Sequence, residues 1–267
     1  MRHRDRRYRA ARATLTVVGM KMFDDKVVIV SGASAGIGEA AAVAFQAAGA
    51  KVFGLASTAA SRAAAEAKHP AIAWLAADLT SRAQIDAAVE AVTRAGRIDV
   101  LVNNAGIYKF ASLAASTDEV VRSQFEINVF GLIGLTQACL PALTASLGSI
   151  VNVSSTSARK PMRDQSVYGA SKAAVEALTR SWAIELAGHR VRVNAVSPGP
   201  TETPGVAKLF PSPEVRAAAR AQISSVVPLG RIASSDEIAH WIVALADPRA
   251  SWLTGQVLGV DGGMSAT

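Results

Sequence analysis

Cysteine, histidine and aromatic residues are scarce in this sequence. Cys139 is the only cysteine among 267 residues, so the chain has no intrachain disulfide and no thiolate cluster for a metal. We expect it to be a buried thiol on a helix. The four histidines show no metal-ligand spacing, which argues against a metal site. Because Phe, Trp and Tyr make up only 5% of the chain, we expect a core of small branched residues and alanine.

Long hydrophobic runs are missing as well. No apolar run approaches the roughly 18 residues that a membrane-spanning helix requires, so we expect a soluble, cytoplasmic protein without a membrane partner. A chain of 267 residues that is 50% hydrophobic suits one α/β domain and is short for two.

The formal net charge of +7 is concentrated at the N-terminus. Residues 1–22 contain seven Lys or Arg and one acidic residue, whereas the rest of the chain has 21 basic and 20 acidic residues. This basic tail could bind an acidic partner such as nucleic acid or a membrane, act as a targeting peptide, or be a translated upstream stretch. We favour the last reading or plain disorder, and expect no nucleic-acid partner.

After residue 22 the chain alternates between strand-like and helix-like segments. The predicted strands are 26–31, 51–56, 72–76, 98–102, 149–154, 191–196 and 256–260. The predicted helices are 36–48, 59–67, 82–94, 118–138, 166–187 and 234–246. Nearly continuous apolar strands indicate a sheet covered on both faces, and regular alternation indicates parallel strands. Ligands of such sheets bind at the carboxyl ends of the strands.

A glycine-rich turn follows the first predicted strand. In the run SGASAGIG, Gly32, Gly36 and Gly38 lead into a helix. Glycine permits a tight turn, and the N–H groups of a first helical turn bind phosphate. An ordinary strand–turn–helix corner is the alternative, but the position after the first strand favours dinucleotide binding. The spacing G-x-x-x-G-x-G differs from the common G-x-G-x-x-G.

The run NNAG, residues 103–106, closes the fourth predicted strand. Its small residues would let a flat ring approach the backbone, and its asparagine amides can bridge strand ends or ligand hydroxyls. Asn and Gly are also favoured in ordinary turns, so this run by itself is only suggestive.

Tyr168 and Lys172 lie four residues apart on a predicted helix and therefore share a face. A nearby ammonium favours the phenolate and lowers the tyrosine pKa from about 10, so that the phenol can exchange a proton near neutral pH. For an isolated Tyr-x-x-x-Lys we would prefer the simpler interpretation, a lysine stem lying on apolar surface.

In chain order these motifs resemble the classical short-chain dehydrogenase/reductase family, over about residues 24–263. The runs RVNAVSPGPTET and LTGQVLGVDGG also look like segments of that family. The resemblance implies a doubly wound (Rossmann) seven-stranded parallel sheet in a single domain, residues 23–267. It also implies a substrate flap at about residues 198–225.

The resemblance further implies a catalytic tetrad of Asn128, Ser155, Tyr168 and Lys172. Tyr168 would be the acid/base, and Lys172 would lower its pKa and bind the nicotinamide ribose. Ser155 would orient the substrate oxygen. Asn128 would hold a water that connects Lys172 to solvent through a backbone carbonyl.

Two other serines compete with Ser155. We choose Ser155 over Ser154 and Ser157 because the family's serine lies 13 residues before its tyrosine, as Ser155 does here. Strand alternation also places Ser154 and Ser155 on opposite faces, so they are not interchangeable.

The cofactor-binding residues implied by the resemblance form four groups along the chain, and Tyr168 and Lys172 also contact the cofactor. They are Gly32, Ser34, Gly36, Ile37 and Gly38 at the pyrophosphate; Asp78 and Leu79 at adenine; Asn104, Ala105 and Gly106 at the adenosine ribose; and Pro198, Gly199, Thr201 and Thr203 at the nicotinamide amide.

The choice between NADP and NAD depends on the end of the second strand. An acidic residue there would bind the ribose 2′-hydroxyl and repel a 2′-phosphate, but Ala56 occupies the position. Ser57, Thr58 and Arg62 could receive a phosphate, which favours NADP. Ala35, where NADP-using relatives often have a basic residue, favours NAD.

The resulting hypothesis is hydride transfer between NADP(H) and a small carbonyl or secondary-alcohol substrate. The alternatives are an NAD-dependent alcohol dehydrogenase of the same fold and a dinucleotide-binding regulator without turnover. The pocket would draw on Ile107, Tyr108, Ser157, Arg159 and residues 203–210. Family analogy suggests a homotetramer.

Overall fold

The computed structural model describes residues 22–207 and 212–267. Seven parallel strands form one sheet in the order β3-β2-β1-β4-β5-β6-β7. They are β1 (Val27–Ser31), β2 (Lys51–Ala56), β3 (Ala73–Ala76), β4 (Val100–Asn103), β5 (Ser149–Val153), β6 (Arg192–Pro198) and β7 (Val257–Val260). The predicted single-domain, doubly wound parallel sheet is confirmed, and no predicted strand end is displaced by more than two residues.

Helices cover both faces of the sheet. They are α1 (Gly36–Ala47), α2 (Ala59–Lys68), α3 (Arg82–Thr93), α4 (Asp118–Phe125), α5 (Leu132–Ser146), α6 (Ser166–Glu185), α7 (Pro204–Ala207), α8 (Pro213–Val226) and α9 (Ser235–Ala246). Hydroxyl side chains start several of them: Thr58 caps α2, Ser81 caps α3 and Ser234 caps α9. Such caps bind N–H groups that the helix itself leaves without partners.

The central strand β1 shows why the sheet is apolar throughout. Val28 and Val30 enter the core on the face that also contains Phe45 of α1, whereas Val27 and Ile29 enter the core on the opposite face. Burying each such side chain stabilises the fold by roughly 1.5–3 kcal/mol. Because β1 lies between β2 and β4, the chain reverses its winding direction there, and a crevice opens at the carboxyl ends of these strands.

The helix predicted over 118–138 is longer and less regular than expected. It runs from α4 through a π-helical turn, Glu126–Gly131, into α5 and continues past Pro141 to Ser146. Buried residues such as Leu135 and Leu143 hold α5 against the sheet despite the proline. Cys139 is fully buried on α5, as predicted, and burial raises the pKa of its thiol to about 12.

This helical stretch, Asp118–Ser146, is also long and apolar enough by composition to cross a membrane. Its most apolar window has a mean hydropathy of 1.5, and 44% of that window is buried inside the fold. The expectation that no segment reaches such a length was therefore too strict, because it considered only uninterrupted apolar runs. A core helix packed against a sheet has the same composition, so the finding is weak evidence for a membrane.

The region predicted as a flap, about 198–225, contains regular structure. The strand β6 extends to Pro198, and the short helix α7 follows. The helix α8, which the sequence pattern did not predict, begins after the cap Ser212 and has no buried residue. Residues 208–211, and all of the predicted N-terminal extension except Met22, lie outside the described residues.

Candidate active site

The glycine turn after β1 is shaped by backbone that passes very close to it. Gly32 and Gly36 have φ angles of 62° and 61°, which side chains rarely adopt. A Cβ on Gly32 would lie 2.8 Å from the Ala105 Cα, and a Cβ on Gly38 would collide with the Asn104 side chain. The cap residue of α1, Ala35, makes no side-chain hydrogen bond to the helix. The turn therefore fits a phosphate group, because first-turn N–H groups of α1 can bind an anion.

Ser31 fastens this turn to the end of β4. Its Oγ accepts hydrogen bonds from the backbone N–H groups of Asn104 and Ala105, each at 3.0 Å, and donates to Val102 O at 3.2 Å. The Asn104 Nδ2 donates to the carbonyls of Ser31 and Gly32 at 3.0 and 3.2 Å. Through Ser31 and Asn104, the two glycine-containing motifs are therefore joined by hydrogen bonds.

All the predicted cofactor residues lie along the same edge of the sheet. Ser34 and Ile37 belong to the turn after β1, Ser57 and Thr58 follow β2, Asp78 and Leu79 follow β3, and Asn104 to Gly106 follow β4. Pro198, Gly199, Thr201 and Thr203 end or follow β6. Thr203 reaches across to the first motif, since a Cβ on Gly36 would lie 3.2 Å from the Thr203 side chain. Their individual roles stay predictions.

Some of these residues have structural contacts as well. The Asp78 carboxylate accepts two hydrogen bonds from Thr80, both at 2.9 Å, and so shapes the turn after β3. Leu79 is buried against Gly131. The Thr201 hydroxyl donates to Gly199 O at 3.0 Å.

The predicted tetrad comes together at the ends of β4 and β5. The Ser155 hydroxyl lies near the Tyr168 phenol and lowers the pKa of the tyrosine. The Lys172 side chain is 5% exposed, and its Nζ donates to Val153 O at 2.9 Å. A Cβ on Gly106 would lie 3.2 Å from Lys172 Nζ and 3.0 Å from Asn128 Oδ1. The lysine and the asparagine therefore meet at the glycine that ends the NNAG run.

Burial, and not the neighbouring charge, dominates the titration of these groups. Burial raises the pKa of Tyr168, the Ser155 hydroxyl lowers it in part, and Tyr108 raises it further. Burial also lowers the pKa of Lys172 to about 8. The predicted lowering of the Tyr168 pKa by Lys172 is therefore wrong in direction, because desolvation penalises both charged forms.

The three candidate serines have different partners. Ser154 Oγ donates to Lys172 O at 3.1 Å on the buried side of the strand end. Ser157 Oγ donates to Gln165 Oε1 at 2.6 Å. Ser155 is the one of the three whose hydroxyl affects the pKa of Tyr168. This geometry agrees with the choice made from spacing and strand alternation.

Asn128 projects from the π-helical turn. Its Nδ2 donates to Ile107 O at 2.9 Å and to Ser171 Oγ at 3.0 Å, while its Oδ1 accepts from Ile107 N at 2.8 Å. It thus binds backbone on the β4 side and the helix α6 at once. The π-helical turn itself was not predicted, although such turns often occur at functional sites.

Two further residues near the tetrad were not predicted. Gln124, one helical turn before Asn128, is fully buried and binds the backbone of Lys109. Phe110 packs edge-on against Tyr168, with ring centroids 5.7 Å apart. The alternation of polar and aromatic residues in IYKF, residues 107–110, was the available signal for Phe110.

Residues 32–265 match the family model described as Enoyl-(Acyl carrier protein) reductase. The 3-oxoacyl-[acyl-carrier-protein] reductase FabG of Thermotoga maritima is 44% identical over 189 residues, which are 70% of this chain and 74% of that protein. The solved aldohexose dehydrogenase of Thermoplasma acidophilum has a TM-score of 0.86 at 34% identity and covers 93% of this chain and 97% of its own. A solved short chain dehydrogenase/reductase family protein has a TM-score of 0.82 at 37% identity, covering 92% and 100%.

Proposed function

Because the chain belongs to the short-chain dehydrogenase/reductase family and is an oxidoreductase of that kind, we propose that it transfers a hydride between NADP(H) and a carbonyl/secondary-alcohol pair, with Tyr168 as the acid/base. The observation that carries this proposal is the placement of Tyr168 near Ser155 and the buried Lys172, at the same sheet edge as the glycine turn.

The bound nicotinamide cofactor supplies or takes up the hydride. In the reducing direction Tyr168 Oη donates a proton to the substrate oxygen, and in the oxidising direction it accepts one. Burial keeps the phenol protonated at neutral pH, which suits a proton donor. Ser155 shares the substrate oxygen with Tyr168 and fixes its position.

Lys172 supplies a positive charge one helical turn from Tyr168. With a pKa of about 8 the side chain is mostly protonated at pH 7. An ammonium in a buried site stabilises negative charge that develops on the phenolic oxygen as the proton leaves. Asn128 positions this group indirectly, because it holds the backbone at Ile107 and the helix α6 at Ser171.

The preference for NADP is supported by the residues after β2. Ala56 ends the strand without a carboxylate, and Ser57 is exposed. Thr58 caps α2, whose first turn carries no acidic residue. The Arg62 side chain is paired with Glu66 at 2.8 Å, but exposed pairs of this type contribute little, so the arginine can move to a phosphate.

Tyr168→Phe tests the catalytic proposal. The variant removes the proton donor and leaves the ring packing, so we expect reduction of a carbonyl panel with NADPH to fall by about 10²–10⁴-fold. Fluorescence titration should show that the variant still binds NADPH. Turnover within a few-fold of the wild type would contradict the assignment. Absence of turnover in the wild type over the whole panel would favour the regulator.

Ser57→Asp tests the cofactor preference, with Ser57→Asn as the uncharged control. If the 2′-phosphate lies beside this residue, the added carboxylate should weaken NADPH binding and leave NADH binding nearly unchanged. Tighter binding of NADH than NADPH by the wild type would instead support the NAD-dependent alternative. Cytoplasmic location and a homotetrameric assembly are part of the same proposal and rest on the family alone.

A further inference from the structure

Three aromatic rings meet at the proposed proton donor. The rings of Tyr108 and Phe110 are stacked at 5.6 Å with an interplanar angle of 26°. Each of them meets the Tyr168 ring edge-on, at centroid distances of 6.3 and 5.7 Å. Phe110 is 43% exposed. A flat apolar surface therefore lies open to solvent directly beside the phenol.

The helix α4 and the π-helical turn hold this surface in place. Asn128 binds both backbone groups of Ile107, and Gln124 binds both backbone groups of Lys109, at 3.1 Å to its N–H and 3.3 Å to its C=O. The two amide side chains are four residues apart and share a helix face. They fix residues 107 and 109, so that Tyr108 and Phe110 project together on one side.

Tyr108 is covered from the other direction by the segment after β6. Its hydroxyl lies close to the Thr203 side chain. A Cβ on Gly205 would collide with the Tyr108 hydroxyl oxygen, so the short helix α7 lies directly against it. Tyr108 therefore supports Phe110 by stacking on it, and Phe110 is the ring whose surface is open to solvent.

We propose that Phe110, supported by Tyr108, is a specificity-determining residue that stacks against a flat aryl group next to the substrate carbonyl. This inference rests on the proposed function, since it places the substrate oxygen at Tyr168. An aryl ring on Phe110 gains offset-stacked or edge-to-face contact that a saturated ring of similar size does not. Substrates of this class are aryl ketones and the corresponding secondary aryl alcohols.

A binding experiment tests the inference without requiring turnover. Acetophenone and cyclohexyl methyl ketone are titrated calorimetrically into the wild type and Phe110→Leu at saturating NADP⁺, which cannot reduce either ketone. We expect the wild type to bind acetophenone roughly three- to ten-fold more tightly than the cyclohexyl ketone. Phe110→Leu should abolish that preference, with the cyclohexyl ketone nearly unaffected.

The control is Leu113→Ala, which truncates another exposed apolar side chain of the same connection, 81% exposed. It should change neither affinity. Equal affinities in the wild type, no measurable acetophenone binding, or a preference that persists in Phe110→Leu would each overturn the inference.

Turnover with NADPH separates this inference from the proposed function. If the wild type binds acetophenone more tightly but reduces neither ketone, the reductase proposal fails and the proposed role of Phe110 stands. If the wild type reduces both ketones with the same kcat/KM, and Phe110→Leu does so too, the proposed role of Phe110 fails and the reductase proposal stands.

Discussion

The two sides of the cleft differ in how their side chains are held. On the catalytic side Asn128 is fully buried and Lys172 nearly so, and both bind backbone groups of the sheet edge. On the flap side α8 has no buried residue, and it is joined to the preceding loop by exposed ion pairs from Glu202 to Arg216 and Arg220. Buried, bonded groups preserve a reacting geometry, whereas weakly held segments open at little cost in free energy.

This contrast indicates that the two sides of the cleft have different functions. The proposed proton transfer needs fixed distances, and Tyr168 and Lys172 lie on the 20-residue helix α6. Substrate admission needs movement, and we expect the weakly held helix α8 to supply it. The aromatic pair Tyr108–Phe110 lies between the two sides, because Gln124 holds its backbone while Thr203 contacts one of its rings.

Lys172→Met should produce the largest effects: it should lower activity and raise stability. Activity should fall by at least two orders of magnitude because the charge beside Tyr168 is lost. Stability should rise, because burial lowers the Lys172 pKa from 10.5 to about 8. The cost of keeping the ammonium buried is on the order of 3 kcal/mol at pH 7, reduced by its hydrogen bond to Val153.

The stability difference between the wild type and Lys172→Met should depend on pH. Between pH 8 and 10.5 the unfolded chain binds the lysine proton and the folded protein does not, so wild-type stability gains with rising pH in that window. The stability advantage of Lys172→Met should therefore be greatest below pH 8 and shrink toward pH 10.5. Denaturant unfolding at several pH values measures it, and a constant difference would show that Lys172 is not desolvated.

Gln124→Leu should have an intermediate effect. The variant leaves the N–H and C=O groups of Lys109 without their side-chain partner, which costs about 1–3 kcal/mol if water cannot replace it. We expect a lower Tm and a reduced preference for acetophenone over the cyclohexyl ketone. Arg122→Gln, on the exposed side of the same helix, is the control. An unchanged ketone preference would show that Gln124 does not position the aromatic pair.

Glu202→Gln should have the smallest effect on stability. It weakens the ion pairs with Arg216 and Arg220, which are exposed and together contribute less than about 1 kcal/mol. Hydrogen exchange across 213–226 should nevertheless accelerate, and KM should rise a few-fold with kcat unchanged or higher. If exchange in α8 were as slow as in α6, the distinction between the two sides of the cleft would be wrong.

Much of the fold could be predicted from the sequence because its signals are local. Val-rich runs such as β1 and the glycines after it determine where strands end and helices begin. The π-helical turn at Asn128 was not predicted because no local pattern in the sequence marks it. The helix α8 was missed because residues 198–225 were assigned to a flap, and it buries no residue against the rest of the fold.

The candidate site could likewise be predicted from local signals, but not where it depends on burial or long-range packing. The 13-residue spacing to Tyr168 led to the choice of Ser155 over Ser154 and Ser157, and the role of Ser155 stays a prediction. The direction of the Tyr168 pKa was wrong because sequence separation indicates that Lys172 is near but not how deeply both groups are buried. Phe110 was overlooked because its importance arises from packing against residues far along the chain.

The pH profile of kcat/KM for ketone reduction tests the role of the buried Lys172–Tyr168 pair most directly. Because the pKa of Lys172 lies at about 8, we predict a decline on the alkaline side with an apparent pKa near that value, while the affinity for NADPH changes little. A rate that stays constant up to pH 10 would contradict the assignment of Lys172 as the charge that assists proton transfer.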